Sequence, residues 1–201
     1  MKKNIVKFFL LAILLVVGIW CAYKYMFAQP QIAIPQDVDT KKWPIYNIGD
    51  GISFLPGGNS EQYAKQENGW YQQEEKQRYI KGKNAIIRAY IPGGENQNLR
   101  VKVSAVGVFA PEKMTQRVDV YANGHLVRKW DLNNKKNTYV ADIDAEIMTD
   151  SRLELTFEIK TPYMPDNEKR ALGMGVTNIK ITKPFAMETK RKISRWLKSH
   201  L

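Results

Sequence analysis

The chain has 201 residues, a formal net charge of +11 and a single cysteine, so no disulfide can form within it. The charge is concentrated at the ends: residues 1–24 contribute +4 and residues 183–201 contribute +5, which leaves about +2 for residues 25–182. A nearly neutral body argues against a nucleic-acid-binding domain, because such a domain needs a basic surface.

The first predicted element is a hydrophobic helix. Residues 8–23 form an uncharged run, FFLLAILLVVGIWCAY, whose length is near the lower limit for a helix that crosses a bilayer. Neither candidate cleavage site has the small residues that a signal peptide needs, so we predict an uncleaved transmembrane anchor over residues 1–27. A cleaved signal is the alternative. The lysines ahead of the run, Lys2, Lys3 and Lys7, predict a cytoplasmic N-terminus and place the rest of the chain outside the cytoplasm.

The body of the chain has the pattern of an all-β domain. Residues 28–47 contain three prolines and no hydrophobic period, which predicts an extended linker. Within 48–182, apolar and polar residues alternate over short runs that end at turn residues, as in antiparallel sheets with one wet face. The runs are AIIRAYI (85–91), LRVKVSA (99–105), LELTFEI (153–159) and MGVTNIKI (174–181), and the alternation slips in the last one. We therefore predict a β-sandwich of two packed antiparallel sheets.

One hairpin can be predicted in detail, from the stretch QRVDVYANGHLVRKW (116–130). Asn123 and Gly124 both tolerate positive φ and predict a tight turn. Val127 and Trp130 are three positions apart, so they share a face of the sheet only if one residue bulges out near Arg128–Lys129. We expect Trp130 to pack into the core, with ligand contact as the alternative.

Residues 183–201 predict a short basic amphipathic helix. Apolar residues fall near one face of this helix and basic residues lie elsewhere, which favours contact with a membrane or with a partner protein. Packing against the surface of the domain itself is the alternative. The candidate contact residues are Phe185, Ile193, Trp196, Leu197, Lys190, Arg191 and Arg195.

No catalytic constellation is visible. The two histidines, His125 and His200, belong to no cluster with metal-ligand spacing, and no nucleophile-elbow motif is present. Glu74 or Glu75 could hold one member of a glycosidase pair, but its partner cannot be identified. We therefore predict no catalytic residue, no metal site and no cofactor.

Glycan binding is the more specific expectation. Sugars combine apolar ring faces with hydroxyl groups, so their sites pair an aromatic ring with fixed polar groups. We predict such a site from Trp70, Tyr71, Glu74, Arg78, Tyr79 and Arg170. Arg170 could instead clamp a phosphate in its guanidinium fork. In the structural alternative Trp70 plugs the sandwich and Glu75 pairs with Arg170.

Three segments taken together resemble a known domain family. They are NGWYQQEEKQRYIKGKNAIIRAYI (68–91), QRVDVYANGHLVRKWDL (116–132) and LELTFEIKTPYMPDNEKRALGMGVTNIKI (153–181). Their order resembles the β-sandwich domain of unknown function that is attached to bacterial membrane glycosyltransferases and phosphoglycerol transferases. The resemblance implies a jelly-roll-like fold and a role with envelope glycans. Glu168 stands where the family has Asp, and Gln73 where it has Pro.

The resemblance also implies a setting. We expect a single-pass protein of the bacterial inner membrane that contacts lipid through its N-terminal helix and carries its main domain outside the cytoplasm. The expected function is non-catalytic: the domain binds glycan, or docks on a multi-span transferase, during envelope polysaccharide synthesis or modification. The alternatives are a purely structural subunit of an envelope membrane complex without a ligand, and a carbohydrate-active enzyme with an unmarked site.

Overall fold

The computed structural model describes residues 38–166 and 168–184. The predicted anchor (1–27) lies outside these residues, as do the first half of the predicted linker (28–37) and all but the first two residues of the predicted C-terminal helix. The candidate membrane- or partner-contact residues therefore also lie outside them. None of the helices in the described ranges has the length and apolar character needed to cross a bilayer.

The described chain is built almost entirely from β-strands. Its helical structure comprises a four-residue helix, α1 (Ser60–Tyr63), and two 3₁₀ turns at Gln66–Asn68 and Ala145–Ile147. The strands are β1 (Gly51–Ser53), β2 (Trp70–Gln73), β3 (Arg78–Lys81), β4 (Asn84–Tyr90), β5 (Leu99–Val106), β6 (Gln116–Ala122), β7 (His125–Leu132), β8 (Asn137–Ile143), β9 (Arg152–Ile159) and β10 (Leu172–Thr182).

The strands form two antiparallel sheets. One has the order β2-β3-β10-β5-β8, with β1 also paired to β10, and the other has the order β4-β9-β6-β7. The pairing is nested, because β3 pairs with β10, β4 with β9, β5 with β8 and β6 with β7. Nested pairs shared between two sheets are the arrangement of a jelly roll. The predicted all-β antiparallel sandwich is confirmed.

The core lies between the sheets and follows the predicted alternation. In β5 the side chains of Leu99, Val101, Val103 and Ala105 are all buried, and the residues between them are not. Strand β9 repeats this pattern from Leu153 to Ile159. Each large apolar side chain buried in this way contributes about 1.5–3 kcal/mol to stability.

The β6–β7 hairpin contains the predicted turn and the predicted bulge. Asn123 and Gly124 have φ of 47° and 81°. Val120 pairs with Arg128 while Tyr121 pairs with Leu126, so the extra residue is Val127 rather than one of Arg128 and Lys129. The bulge nevertheless turns both Val127 and Trp130 toward the core, as expected.

Two tryptophans link the sheets across the core. Trp70 in β2 donates its Nε1–H to the carbonyl of Ile86 in β4, at 2.9 Å. Trp130 in β7 donates to the carbonyl of Val140 in β8, at 3.0 Å. Both rings pack on Phe157, with centroid distances of 6.4 and 6.1 Å. Trp130 is therefore a core residue, as predicted.

The segment before β1 is part of the packed domain. Tyr46, which the sequence assigns to the linker, is almost completely buried. Its hydroxyl accepts a hydrogen bond from the Ile181 amide at 2.8 Å and donates to the Asp50 carbonyl. The backbone of Tyr46 also bonds to Tyr90, next to an isolated parallel bridge between Ile45 and Tyr90. The sandwich thus begins before residue 48.

Tyr46 predicts a loss of stability at alkaline pH. Burial raises its pKa from the ordinary value of 10.0 to about 12, and burial also raises the pKa of Tyr63. Because the folded state holds the phenol protons more tightly, this contribution is complete below about pH 10 and is lost as the pH rises towards about 12. Urea midpoints measured across this range should fall, and Tyr46→Phe should flatten the fall. An equally steep fall in the variant would contradict the assignment.

Candidate functional site

The candidate site lies where the β2–β3 hairpin meets the loop that leads into β10. We call Tyr71, Glu74, Glu168 and Arg170 the Tyr71–Arg170 cluster. Tyr71 lies in β2 and Glu74 directly follows that strand, while Glu168 and Arg170 precede β10. The antiparallel pairing of β3 with β10 brings these two segments together, although Glu74 and Arg170 are 96 residues apart in the chain.

Arg170 organises the cluster. Its Nε and Nη2 atoms donate to the two carboxylate oxygens of Glu168, at 2.9 and 2.7 Å. Its Nη1 atom donates to Oε1 of Glu74 at 2.7 Å. The guanidinium carbon lies 4.9 Å from the centroid of the Tyr71 ring, within range of a cation–π contact. One arginine therefore holds two carboxylates and an aromatic ring in fixed positions.

The cluster is charged and open to solvent. The hydrogen bonds from Arg170 lower the pKa of Glu168, and the carboxylates of Glu168 and Glu74 raise the pKa of Arg170. The side chains of Arg170 and Glu74 are each 36% exposed, and that of Glu168 is 27% exposed. Groups this accessible can hydrogen-bond to a ligand without a change in the fold.

Tyr79 and Gln77 extend the polar surface beside the cluster. The Gln77 amide donates to the Tyr79 hydroxyl, and the Glu74 amide donates to the Gln77 carbonyl at 3.2 Å. A Cβ placed on Gly175 would lie 2.7 Å from Cδ of Gln77, so the glycine leaves the space that this side chain occupies. Gln77 and Glu168 were not among the predicted site residues. For Gln77 the available signal was Gly175, because a glycine inside a strand marks a place where another group approaches closely.

Trp70 is wrongly placed in the predicted glycan site. Its side chain is 1% exposed and its ring lies 5.0 Å from that of Phe54. A ring covered by the core cannot stack on a sugar. The structural alternative, in which Trp70 fills the core of the sandwich, is confirmed, but the acidic partners of Arg170 are Glu74 and Glu168 rather than Glu75.

Arg78 is also wrongly placed in the ligand site, because it is fully buried. Its Nε donates to the Tyr71 carbonyl at 2.5 Å, and its Nη1 lies 3.3 Å from a Glu61 oxygen. Burial lowers the pKa of its guanidinium. Because Arg78 donates a hydrogen bond to the backbone of Tyr71 from the core side, its role is to hold that residue in position.

A second polar cluster lies on the outer face of the four-stranded sheet. Lys160 Nζ is 2.9 Å from Asp119 Oδ2 and 2.9 Å from Glu158 Oε1, and Tyr121 donates to Glu158 at 3.1 Å. One lysine pairs with both carboxylates, so the arrangement links strands β6 and β9, and the cluster keeps a net negative charge with Asp119 Oδ1 left without a hydrogen bond among the described residues. Within 38–166 and 168–184, no group of three His, Cys, Asp or Glu residues could hold a metal ion.

Comparison with known proteins reveals partial structural overlaps. A family 35 carbohydrate binding module from an environmental isolate covers 60% of this chain and 90% of its own, with 10% identity and a TM-score of 0.37. The match with the carbohydrate-binding module CBM36, in complex with calcium and xylotriose, covers 66% of this chain and 99% of the module, with 15% identity and a TM-score of 0.37. The insecticidal delta-endotoxin Cry8Ea1 from Bacillus thuringiensis covers 53% of this chain, which spans only 20% of the toxin, with 13% identity and a TM-score of 0.38. No protein-family model matches the sequence, and no curated protein matches it.

Proposed function

We propose that this protein is a non-catalytic, membrane-anchored extracytoplasmic domain that binds a neutral glycan at the Tyr71–Arg170 cluster. The observation that carries the proposal is the fixed geometry of the cluster, in which Arg170 bonds to Glu74 and Glu168 and covers the Tyr71 ring. Sugar hydroxyls are donors, and carboxylate oxygens held in place accept from them without further loss of side-chain entropy.

The charge of the cluster favours a neutral ligand over an anionic one. Its two glutamates outnumber its one arginine, and all three nitrogens of the guanidinium already donate to these carboxylates. The fork that could have clamped a phosphate is therefore occupied. A neutral saccharide meets no repulsion from the remaining negative charge.

The electrostatics of the cluster also support a binding role rather than glycoside hydrolysis. A glycosidase needs a carboxylic acid whose pKa is raised so that it stays protonated near neutral pH. The bonds from Arg170 shift the pKa of Glu168 in the opposite direction. Binding without turnover is the function that suits this arrangement.

The membrane setting completes the proposal. The hydrophobic run at 8–23 and the basic segment at 183–201 are the features that favour anchoring and surface contact. Together with the resemblance to transferase-attached domains, they support docking on a membrane glycosyltransferase or phosphoglycerol transferase during envelope polysaccharide synthesis or modification.

A glycan array tests the binding role. The full chain in zwitterionic nanodiscs should be retained by neutral oligosaccharides, and Tyr71→Ala should weaken retention at least tenfold because the ring contact is lost. Gln72→Ala, at an exposed neighbouring position, should bind like the wild type. If Tyr71→Ala binds normally, or if no glycan is retained while the chain co-purifies with a multi-span membrane protein, the structural-subunit alternative is favoured.

A further inference from the structure

A separate cleft of about 300 Å³ lies at the edge of the four-stranded sheet, beside β4. Its walls come from the turn at 39–42, from the segment at 62–68 that contains the end of α1 and the first 3₁₀ turn, and from β4. None of the residues in the Tyr71–Arg170 cluster lines it. The cleft is therefore a second concave site, and the proposed glycan site does not use it.

Cations dominate the lining of the cleft. The lining contains four cationic side chains, those of Lys41, Lys42, Lys65 and Arg88, and two carboxylates, those of Asp39 and Glu67. The first carboxylate is already engaged, because Asp39 Oδ1 accepts hydrogen bonds from the backbone amides of Lys41 and Lys42, at 3.0 and 3.4 Å. With the Glu154 carboxylate that pairs with Arg88 also counted, four positive charges meet three negative ones, which leaves a net charge of +1 at the cleft.

The lysines of the cleft have no acidic partner within residues 38–166 and 168–184. By contrast, Arg88 donates through Nε to Glu154 at 2.8 Å and through Nη1 to Asn68 at 3.4 Å. These two bonds fix the guanidinium at the wall of the cleft, with its side chain 24% exposed. The charge of Arg88 is balanced by Glu154, so the ammonium groups, which have no acidic partner in the described ranges, supply the attraction for an anion, and the guanidinium supplies a fixed hydrogen-bond donor.

We propose that this cleft binds a phosphate group. Phosphate offers several charged acceptor oxygens, which suit ammonium and guanidinium donors together with the amides of Gln62 and Asn68 in the same wall. Arg170 differs from these lysines, since it is paired with two glutamates whereas the lysines have no acidic partner in the part of the chain that the structure describes. The phosphate could come from a lipid headgroup or from a free phosphate ester. The proposal does not depend on glycan binding.

The test uses the full chain in nanodiscs and two phosphate probes. Inorganic phosphate is titrated into protein in zwitterionic nanodiscs and followed by NMR, and nanodiscs containing phosphatidylglycerol supply the lipid arm. The double variant Lys42→Gln/Lys65→Gln should weaken binding at least fivefold. Lys102→Gln, at an exposed position on β5, removes a single charge away from the cleft and should change affinity less than twofold.

Each outcome has a defined meaning. Lysine-dependent binding of inorganic phosphate supports the proposal with a free phosphate as ligand, and lysine-dependent binding only to phosphatidylglycerol supports it with a lipid headgroup. Saturable binding of neither probe overturns it, as does an equal loss in Lys102→Gln, which would indicate general charge attraction. Retention of neutral glycans by the double variant should be unchanged, so failure of this proposal is distinguishable from failure of the proposed function.

Discussion

Replacing Trp70 with alanine is expected to destabilise the domain by about 3–5 kcal/mol, the range for large-to-small changes at buried aromatic positions. The ring is buried between Phe54 and Phe157, and its Nε1–H bonds to the Ile86 carbonyl of the opposite sheet. The substitution therefore leaves a cavity and also removes the side-chain donor that bonds to the Ile86 carbonyl.

Two further variants separate these causes. Trp70→Phe keeps an aromatic ring but leaves the Ile86 carbonyl without its donor, so its effect should be smaller than that of alanine. Val140→Ala, at a position that is 37% exposed, should change stability by less than about 0.5 kcal/mol. Urea unfolding followed by far-ultraviolet circular dichroism measures all three. A Trp70→Ala variant with wild-type stability would mean that the ring does not support the core.

Replacing Arg170 is expected to remove glycan binding while the domain stays folded. The side chains of Arg170, Glu74 and Glu168 are each more than a quarter exposed, so their ion pairs contribute little to the free energy of unfolding. The carboxylates and the Tyr71 ring, however, lose the group that positions them. Arg170→Gln should weaken glycan affinity at least tenfold, and Arg170→Lys should not restore it, because an ammonium cannot reproduce the three directed bonds.

The adjacent glutamates provide a matched control for this prediction. Glu74→Gln removes a charge that bonds to Arg170 and should weaken glycan binding, whereas Glu75→Gln removes the same charge from an exposed neighbour and should not. Affinity and the unfolding midpoint are measured on each variant. Unfolding of Arg170→Gln, or equal losses in the two glutamate variants, would contradict a specific role for the cluster.

The pH dependence of binding follows from the same bonds. Because the folded pKa of Glu168 is lowered, its bond to Arg170 is fully formed above the ordinary range for a glutamate and is lost as the pH falls through the lowered value. Glycan affinity should therefore be constant around neutral pH and should fall only below the ordinary titration range of a glutamate.

The fold could be predicted from the sequence because strands with one wet face alternate visibly. In β5 and β9 every second residue is apolar, and those residues are buried. The bulge in β7 could be inferred from the spacing of Val127 and Trp130. Its position could not, because an extra residue at any point of the strand before Trp130 leaves Trp130 on the same face of the sheet. Only the observed pairing identifies Val127.

The candidate site could be predicted only in part. Ile80 is buried, so the alternation of β3 places Arg78 on the core side and Tyr79 on the outer side. The charge of Arg78 favoured a surface position, but the backbone carbonyl of Tyr71 and the carboxylate of Glu61 satisfy it inside the domain. The ion pair between Arg170 and Glu74 joins residues that are 96 positions apart and depends on the pairing of distant strands, so no local sequence pattern predicts it.

An NMR titration of the full chain in nanodiscs, with the neutral oligosaccharide that the array retains most strongly, tests glycan binding at this site most directly. Saturable shift changes are predicted at Tyr71, Glu74, Gln77 and Tyr79, with little change on the outer face of the four-stranded sheet around Tyr121. Shift changes confined to that outer face, or no saturable change at any residue of the domain, would contradict the assignment of a glycan to the Tyr71–Arg170 cluster.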